Sequence, residues 1–407
     1  MLGVDVPLRF EFWDGSAISP DGAVATLRLS SPEALRRILW MPNEVGLGRA
    51  YVAGELDIDG DIFAAVVAMR DALAGRSSSM LRELPVTLAT VRRIGALGRP
   101  LPPPPEEARL KGWRHSRRRD ASAIGHHYDV GNEFYRLVLG QTMTYSCTRF
   151  VEPATGLDAA QDAKHELVCR KLGLHERPGA RLLDVGCGWG SMAIHAAARH
   201  GAQVVATTIS QAQADLARRR IEEAGVSGSV EVRLQDYRAL AGESFDAISS
   251  IGMAEHVGKA RIDEYFATLS GVLAPQGRLL NHAISSVGGS RLGRTSFVGR
   301  YVFPDGELLD VGDTVLAMER AGFEVRDVES LREHYARTLR SWVANLEANW
   351  EHAVRLVGLP RAKIWRLYMA GSAISFEDGG NGIHQVLGVI PSTTGDAAMP
   401  PTRRGWD

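Results

Sequence analysis

Cysteine is scarce. The 407 residues hold three, Cys147, Cys169 and Cys187, with no C-x-x-C pair among them. An odd set without that spacing argues against a disulfide framework or a zinc site and fits a reducing cytoplasm. Long apolar runs are also missing, and none approaches the ~20 residues of a membrane span. Met1 to Phe12 carries no basic region followed by an apolar core, so a secretory leader is not expected. Charge of one sign does not dominate either. The formal net charge is −1, which gives no global pull toward nucleic acid or a membrane. No internal repeat is present. What remains is the composition of an ordinary globular chain, 45% hydrophobic and 23% charged, long enough for two or three domains.

Three regions follow one another. Residues 1–99 alternate short strand-like runs (Leu8 to Phe12, Val24 to Leu29) with apolar helical stretches after Pro32, from Ile62 to Leu73 and from Met80 to Leu97. They read as a small α+β accessory domain. Residues 100–120 read as a linker. Pro100 to Pro105 cannot continue a helix and predicts an extended spacer. Arg109, Lys111, Arg114, Arg117, Arg118 and Arg119 then crowd around Trp113. Such a cluster docks on an anionic lipid surface at about 1 kcal/mol per charge, or is a solvated basic helix. Residues 121–394 alternate strand and helix signals: Arg181–Val185, Gln203–Thr208, Val230–Leu234, Phe245–Ile251 and Gly277–Ala283, with helices between them. That order predicts a doubly wound parallel α/β sheet. The tail, residues 395–407, is polar and expected to be disordered.

The chemistry concentrates at the strand ends. Leu182-Leu183-Asp184-Val185-Gly186-Cys187-Gly188-Trp189-Gly190 is an apolar strand running into a glycine-rich turn and then a helix. Glycines let the backbone approach a ligand, and the first helical turn offers free N–H groups. The spacing is G-x-G-x-G, not G-x-G-x-x-G, so a nucleoside without a pyrophosphate suits it better than a dinucleotide. Asp184 either fixes the loop or faces the ligand. Cys187 reads as a small packing residue, since no base stands at fixed spacing beside it.

The next strand ends in Thr207-Thr208-Ile209-Ser210-Gln211-Ala212-Gln213. No acidic residue stands there to grip a ribose, so Thr208 and Gln213 would give neutral hydrogen bonds, while Ser210 is a strong helix cap. After the following strand, Asp236 and Tyr237 either hold a base or cap a turn. Glu255 and His256 follow an apolar strand, and His282 ends the strand after it. A carboxylate at that edge is costly unless paired, which makes it a functional candidate or a buried cap. Upstream, Gly125 to Tyr135 and Met143 to Cys147 are rich in polar aromatics and suggest a lid. Trp342 and Trp350 read as core.

Together these residues resemble the cyclopropane-fatty-acid-phospholipid synthase family, which includes mycolic acid cyclopropane synthases and tuberculostearic acid methyltransferases. The landmarks are His127-Tyr128-Asp129, Tyr145-Ser146-Cys147, Leu183 to Gly190, Thr208-Ile209-Ser210, Gln213, Glu255-His256-Val257-Gly258 and Tyr301-Val302-Phe303-Pro304, with a weaker match at Gly46 to Gly54. The resemblance implies a Rossmann-like class I methyltransferase fold and an enzyme that moves a methyl group from S-adenosylmethionine to the cis double bond of an oleoyl-type chain in a phospholipid. It implies bicarbonate as base. It places Cys147, Glu255, His282, the backbone of Ile284 and Tyr368 in the base pocket. Tyr145, Ser146, Asp184, Gly186, Cys187, Gly188, Thr208, Gln213, Asp236 and Tyr237 would hold the cofactor. Attack by the alkene leaves a carbocation on the chain, which aromatic faces and an anion stabilise while water is excluded. Proton loss from the new methyl closes a cyclopropane; loss from the chain after a hydride shift leaves a 10-methylene branch.

The implied partners are a bilayer with unsaturated acyl chains, a reductase for a methylene product and a second copy of the chain; nucleic acid is not expected. The implied location is the cytoplasmic face of the inner membrane. Four departures bear on the product: Ala254 in place of an aromatic, Asn281 in place of leucine, Leu309-Asp310 in place of Pro-Ser, and Phe376-Glu377-Asp378 in place of Phe-Arg. They tilt the reading toward the methylene branch. A methyltransferase of a small molecule or protein, and a non-catalytic lipid-binding protein on a cofactor fold, are the rival readings.

Overall fold

The computed structural model describes residues 6–74, 96, 98–108, 131–289 and 295–406. The basic cluster from Arg109 to Arg119, the Met80 to Leu97 stretch and His127-Tyr128-Asp129 lie outside them. The chain folds into two compact units. One comprises residues 1–109, 293–304 and 346–374; the other comprises 110–292, 305–345 and 375–407. The boundaries expected at 99, 120 and 394 therefore do not describe compact bodies, because the smaller unit takes up two segments from the second half of the chain.

The smaller unit holds a four-stranded sheet in the order β2-β1-β3-β4: β1 Leu8–Glu11, β2 Ala17–Ile18, β3 Ala25–Leu29 and β4 Leu56–Gly60. Alternation along β3 buries Ala25, Leu27 and Leu29 on one face. The Pro32–Trp40 helix starts with proline in its first turn, where the missing N–H costs nothing. Asn43 caps the Glu44–Val52 helix by accepting from the Val45 and Gly46 amides. Gly48 on that helix touches the Phe297 ring so closely that a Cβ would lie 2.3 Å from it. The Phe297–Tyr301 helix seats there, which explains why a late segment belongs to the early unit. The residues after the prolines are also tied down. Glu107 accepts from Arg49 at 2.8 Å through both oxygens, from Arg300 at 2.6 Å and from Tyr301 Oη at 3.2 Å.

The larger unit is built on an eight-stranded sheet in the order β11-β12-β9-β8-β5-β6-β7, with β10 beside β9. The strands are β5 Arg181–Val185, β6 Gln203–Thr208, β7 Val230–Leu234, β8 Phe245–Ile251, β9 Leu273–Ser286, β10 Leu309–Asp310, β11 Glu324–Ser330 and β12 Asn381–Val389. β5 through β9 pair in parallel. β12 runs antiparallel to both β9 and β11, so the sheet is mixed rather than wholly parallel. Strand order reverses at β5, and the crevice beyond its C-terminal end is where such sheets bind ligands.

The tail is not disordered. Trp406 is buried against the core beside β5, Arg403 pairs with Asp327 at 2.6 Å, and Gln276 donates to Asp396 at 2.9 Å. Its indole supplies the burial that the polar composition around it conceals. Among the described residues, no helix is long and apolar enough to cross a membrane.

Candidate active site

A cavity opens at the switch point. Its walls are the glycine turn after β5, the end of β6, the Gln235–Arg238 turn, the Met143–Ser146 strap and the loop after β8. All ten residues expected to hold the cofactor line it. Gly186 has φ 72° and Gly188 has φ 54°. A Cβ at Gly186 would strike Met253 Sδ at 2.2 Å, whereas one at Gly188 would meet open space. The first glycine is thus required for packing and the second leaves the backbone bare toward a ligand.

Asp184 fixes the strand and lines the cavity. Its Oδ1 accepts from Ser249 Oγ at 2.6 Å and fixes the strand, while Oδ2 is buried with no hydrogen-bond partner among the described residues. Burial raises its carboxyl to about 6. At β6, Thr208 Oγ1 donates to Gln213 Oε1 at 2.9 Å, and Ser210 caps the next helix by accepting from the Gln213 amide. Asp236 caps its turn through the Arg238 amide at 2.9 Å and also binds that guanidinium. Tyr237 presents an edge to Tyr265, ring centroids 4.8 Å apart. Cys187 packs in the core, and burial raises its thiol, so it is no nucleophile. His256 lines the cavity too, held neutral by burial that lowers it to about 4.

Three supporting residues escaped the sequence reading. The Leu157–Lys171 helix carries Gln161 and Lys164, both fully buried. Gln161 Nε2 donates to the carbonyls of Thr144 at 3.2 Å and Ser146 at 2.9 Å, and Lys164 Nζ donates to Ser146 Oγ at 3.1 Å. Together they fix the strap that carries Tyr145 and Ser146. Burial lowers Lys164 to about 7. Arg220 donates to the carbonyls of Trp189 and Thr142 and to Ser191 Oγ, joining the strap to the glycine turn. Two polar residues three apart on one helix were the available signal, and nothing local gave them a partner.

None of the five residues assigned to the base pocket is among those that line this cavity. Glu255 and His282 do sit at neighbouring strand ends. Ile251 pairs with His282, and Glu255 Oε1 accepts from the Ile284 amide at 2.7 Å. Glu255 Oε2 and His282 Nε2 are buried without partners among the described residues. Burial raises Glu255 to about 7 and lowers His282 well below the usual imidazole value. His282 Nδ1 meets Gln385 Nε2 at 3.2 Å. Cys147 turns away: its thiol donates to the carbonyls of Thr148 and Leu331. Tyr368 belongs to the smaller unit, edge-on to Phe303 and Trp365.

A nucleoside cavity at β5 with an acidic strand end and a bare glycine turn defines an S-adenosylmethionine-dependent methyltransferase. The family described as mycolic acid cyclopropane synthetase matches residues 115–386, and the chain belongs to it. A probable fatty acid methyltransferase of Mycobacterium tuberculosis is 42% identical over 97% of this chain and 93% of its own length. The tuberculostearic acid methyltransferase of the same organism is 32% identical over 93% and 87%. A mycolic acid cyclopropane synthase solved with SAH and CTAB superposes with a TM-score of 0.62 at 33% identity, covering 66% of this chain and 97% of that one.

Proposed function

We propose that the protein transfers the methyl group of S-adenosylmethionine to the cis double bond of an unsaturated, oleoyl-type acyl chain in a phospholipid. Its product on this reading is a 10-methylene-branched chain. The observation that carries it is the pairing of a complete cofactor cavity with a partnerless carboxylate, Glu255 Oε2, at the adjoining strand end. An alkene is a weak nucleophile, so the site's task is to hold the donor in line and keep water out. The Gln161 and Lys164 clamps hold the strap, and Arg220 locks it to the glycine turn.

Glu255 and His282 fit a small oxyanion. A carboxyl raised to about 7 donates or accepts at neutral pH, and the neutral imidazole of His282 has a free nitrogen. Bicarbonate, when bound, would supply the base for the proton that the alkylated chain releases. The Ile284 amide would act through Glu255, to which it is already committed.

Three of the four departures from the cyclopropane pattern sit around this spot. Ala254 is buried beside Glu255, Asn281 accepts from Ser250 Oγ at 3.3 Å, and Asp310 accepts from Ser286 Oγ at 2.5 Å just beyond Ile284. They support a shifted point of proton removal, hence the branch over the ring. The basic cluster of the linker would bring the enzyme to an anionic inner-membrane surface, and a reductase would then saturate the branch. Incubation with S-adenosylmethionine and oleoyl phospholipid vesicles tests the reading. S-adenosylhomocysteine should form, and the lipid should gain the mass of one CH2 group. Ozonolysis at a branch supports the methylene product; a cyclopropane overturns that part. No turnover with any unsaturated lipid overturns the whole.

A further inference from the structure

The spacing of the three cysteines argues against a zinc site, yet the fold gathers ligands that the sequence keeps apart. The Leu157–Lys171 helix lies against the Ser191–His200 helix. The first brings Glu166 and Cys169; the second brings His195 and His200. One ligand atom each from Cys169, His195 and His200 falls within 4.8 Å of the others. Glu166 Oε2 lies 3.3 Å from His195 Nε2 and 3.0 Å from His200 Nε2. Two ligands on a tetrahedral zinc ion, each bound at about 2.0–2.1 Å, stand about 3.3 Å apart. The Cys169, His195 and His200 atoms would have to close by about 1.5 Å at most to reach that spacing, while Glu166 hydrogen-bonds the two imidazoles from outside the group.

We propose that Cys169, His195 and His200 form a site for one transition-metal dication of the zinc class, clamping the two helices together, with Glu166 as the outer hydrogen-bond partner of both imidazoles. The chemistry of the donor set favours such an ion: one thiol and two imidazoles are borderline-soft ligands that calcium and magnesium do not seek. The setting favours it as well. Cys169 is fully buried, the two histidine side chains are 11% and 8% exposed, and Glu166 at 35% leaves one way in. Burial opposes the Glu166 charge, but hydrogen bonds from Arg170, His195 and His200 bring it down to about 2. Arg170 donates to its other oxygen at 2.7 Å and would orient it as an outer partner does. A second grouping, Asp162, His165 and His195, shares one histidine but has no sulfur and rests on an exposed aspartate.

The site's place suggests its use. The Ser191–His200 helix begins directly at the glycine turn, and the Leu157–Lys171 helix carries Gln161 and Lys164. A metal clamp between them would brace the cofactor cavity from behind, without touching the ligand. It is a structural site in this proposal, and no reaction step passes through it.

Full-length protein stripped with a chelator and titrated with cobalt(II) chloride tests this. Uptake of one equivalent, with a near-ultraviolet thiolate-to-cobalt charge-transfer band and tetrahedral visible bands, is the expected result. Cys169→Ser should remove the charge-transfer band. Because Cys169 is buried and that variant can misfold, His200→Gln at the rim is the companion; it should stay folded and lose tight uptake. Glu166→Gln should weaken binding about 10- to 100-fold. Zinc chloride should raise the thermal midpoint of the wild type and leave that of His200→Gln unchanged. No uptake at micromolar cobalt by folded wild type overturns the site. Uptake without a sulfur band, or uptake that His200→Gln does not weaken, overturns it too.

Discussion

Two buried glutamates, one in each compact unit, are treated in opposite ways. Glu107 accepts from two arginines and a tyrosine hydroxyl. Burial opposes its charge, but the two guanidiniums win and hold its carboxyl below the usual range. Glu255 receives one backbone N–H on one oxygen and nothing on the other among the described residues, so burial wins and its carboxyl rises to about 7. The contrast separates a structural charge from a poised one. A buried carboxylate with every lone pair met pins chain segments together. One with an oxygen left unmet is costly to keep charged, so its carboxyl holds its proton further up the pH scale. The two residues have the same chemistry, and only their partners assign their roles.

The comparison is broken or sharpened first by removing each carboxylate. Glu255→Gln should lower turnover about 10³-fold, within the range for loss of a positioned acid–base group, and leave cofactor affinity within a few fold. Fluorescence titration with S-adenosylhomocysteine alongside single-turnover assays separates the two. Near-normal turnover would make Glu255 as structural as Glu107. Glu107→Gln should do the reverse. It takes the charged partner from Arg49 and Arg300, both half-buried, which costs about 1.5–3 kcal/mol. Denaturant unfolding should show that loss, with activity per folded molecule little changed at low temperature.

The second difference is in pH. Glu255 has a folded value near 7 against an unfolded value near 4.5. The folded state therefore binds more protons between those values, and stability falls as pH rises from about 4.5 to about 7, then levels. Glu255→Gln should erase that slope, so the variant gains on the wild type above pH 7 by a few kcal/mol at most. For Glu107 the sign is opposite. Its lowered carboxyl stabilises the fold above the unfolded value, and that contribution disappears as the solution is acidified through the folded one. Thermal midpoints of both variants against the wild type, from about pH 2 to pH 8, measure the two slopes.

How far the sequence reached follows the same line between local and distant partners. The cofactor residues stand at strand ends within a few positions of a glycine or a helix cap, so pattern and spacing place them together, as they do for Gly186, Thr208 and Asp236. The β5, β6, β7 and β8 boundaries are legible because each is a short apolar run closed by a turn. Other side chains of the larger unit take partners that leave no local trace. Cys147 is turned by Leu331, 184 positions away, and His282 meets Gln385, 103 positions away on a strand that the alternation did not reveal. Gly48 stands in a stretch legible only as a weak family match; the Phe297 ring gives it a reason. Trp406 hid in a polar tail for the same cause.

Lys164 offers the smallest test and the most discriminating one, because it is a buried charge of the other sign. Its ammonium has Ser146 Oγ at 3.1 Å, and burial brings it to about 7 despite the pull of Asp184. It is partnered like Glu107 in reach but short of partners like Glu255. If it serves the strap, Lys164→Met removes one hydrogen bond to Ser146 and frees that hydroxyl at the cavity wall. A hydrogen bond from a charged group is worth about 1.5–3 kcal/mol, so KM for S-adenosylmethionine should rise roughly 10- to 100-fold while kcat changes less. If Lys164 instead holds the core as Glu107 does, the midpoint of unfolding should drop and KM of the folded fraction should stay where it was. Gln161→Leu, which releases the same strap at the Thr144 and Ser146 carbonyls without touching a charge, should then copy the KM effect and not the pH dependence, because only the lysine titrates near neutrality.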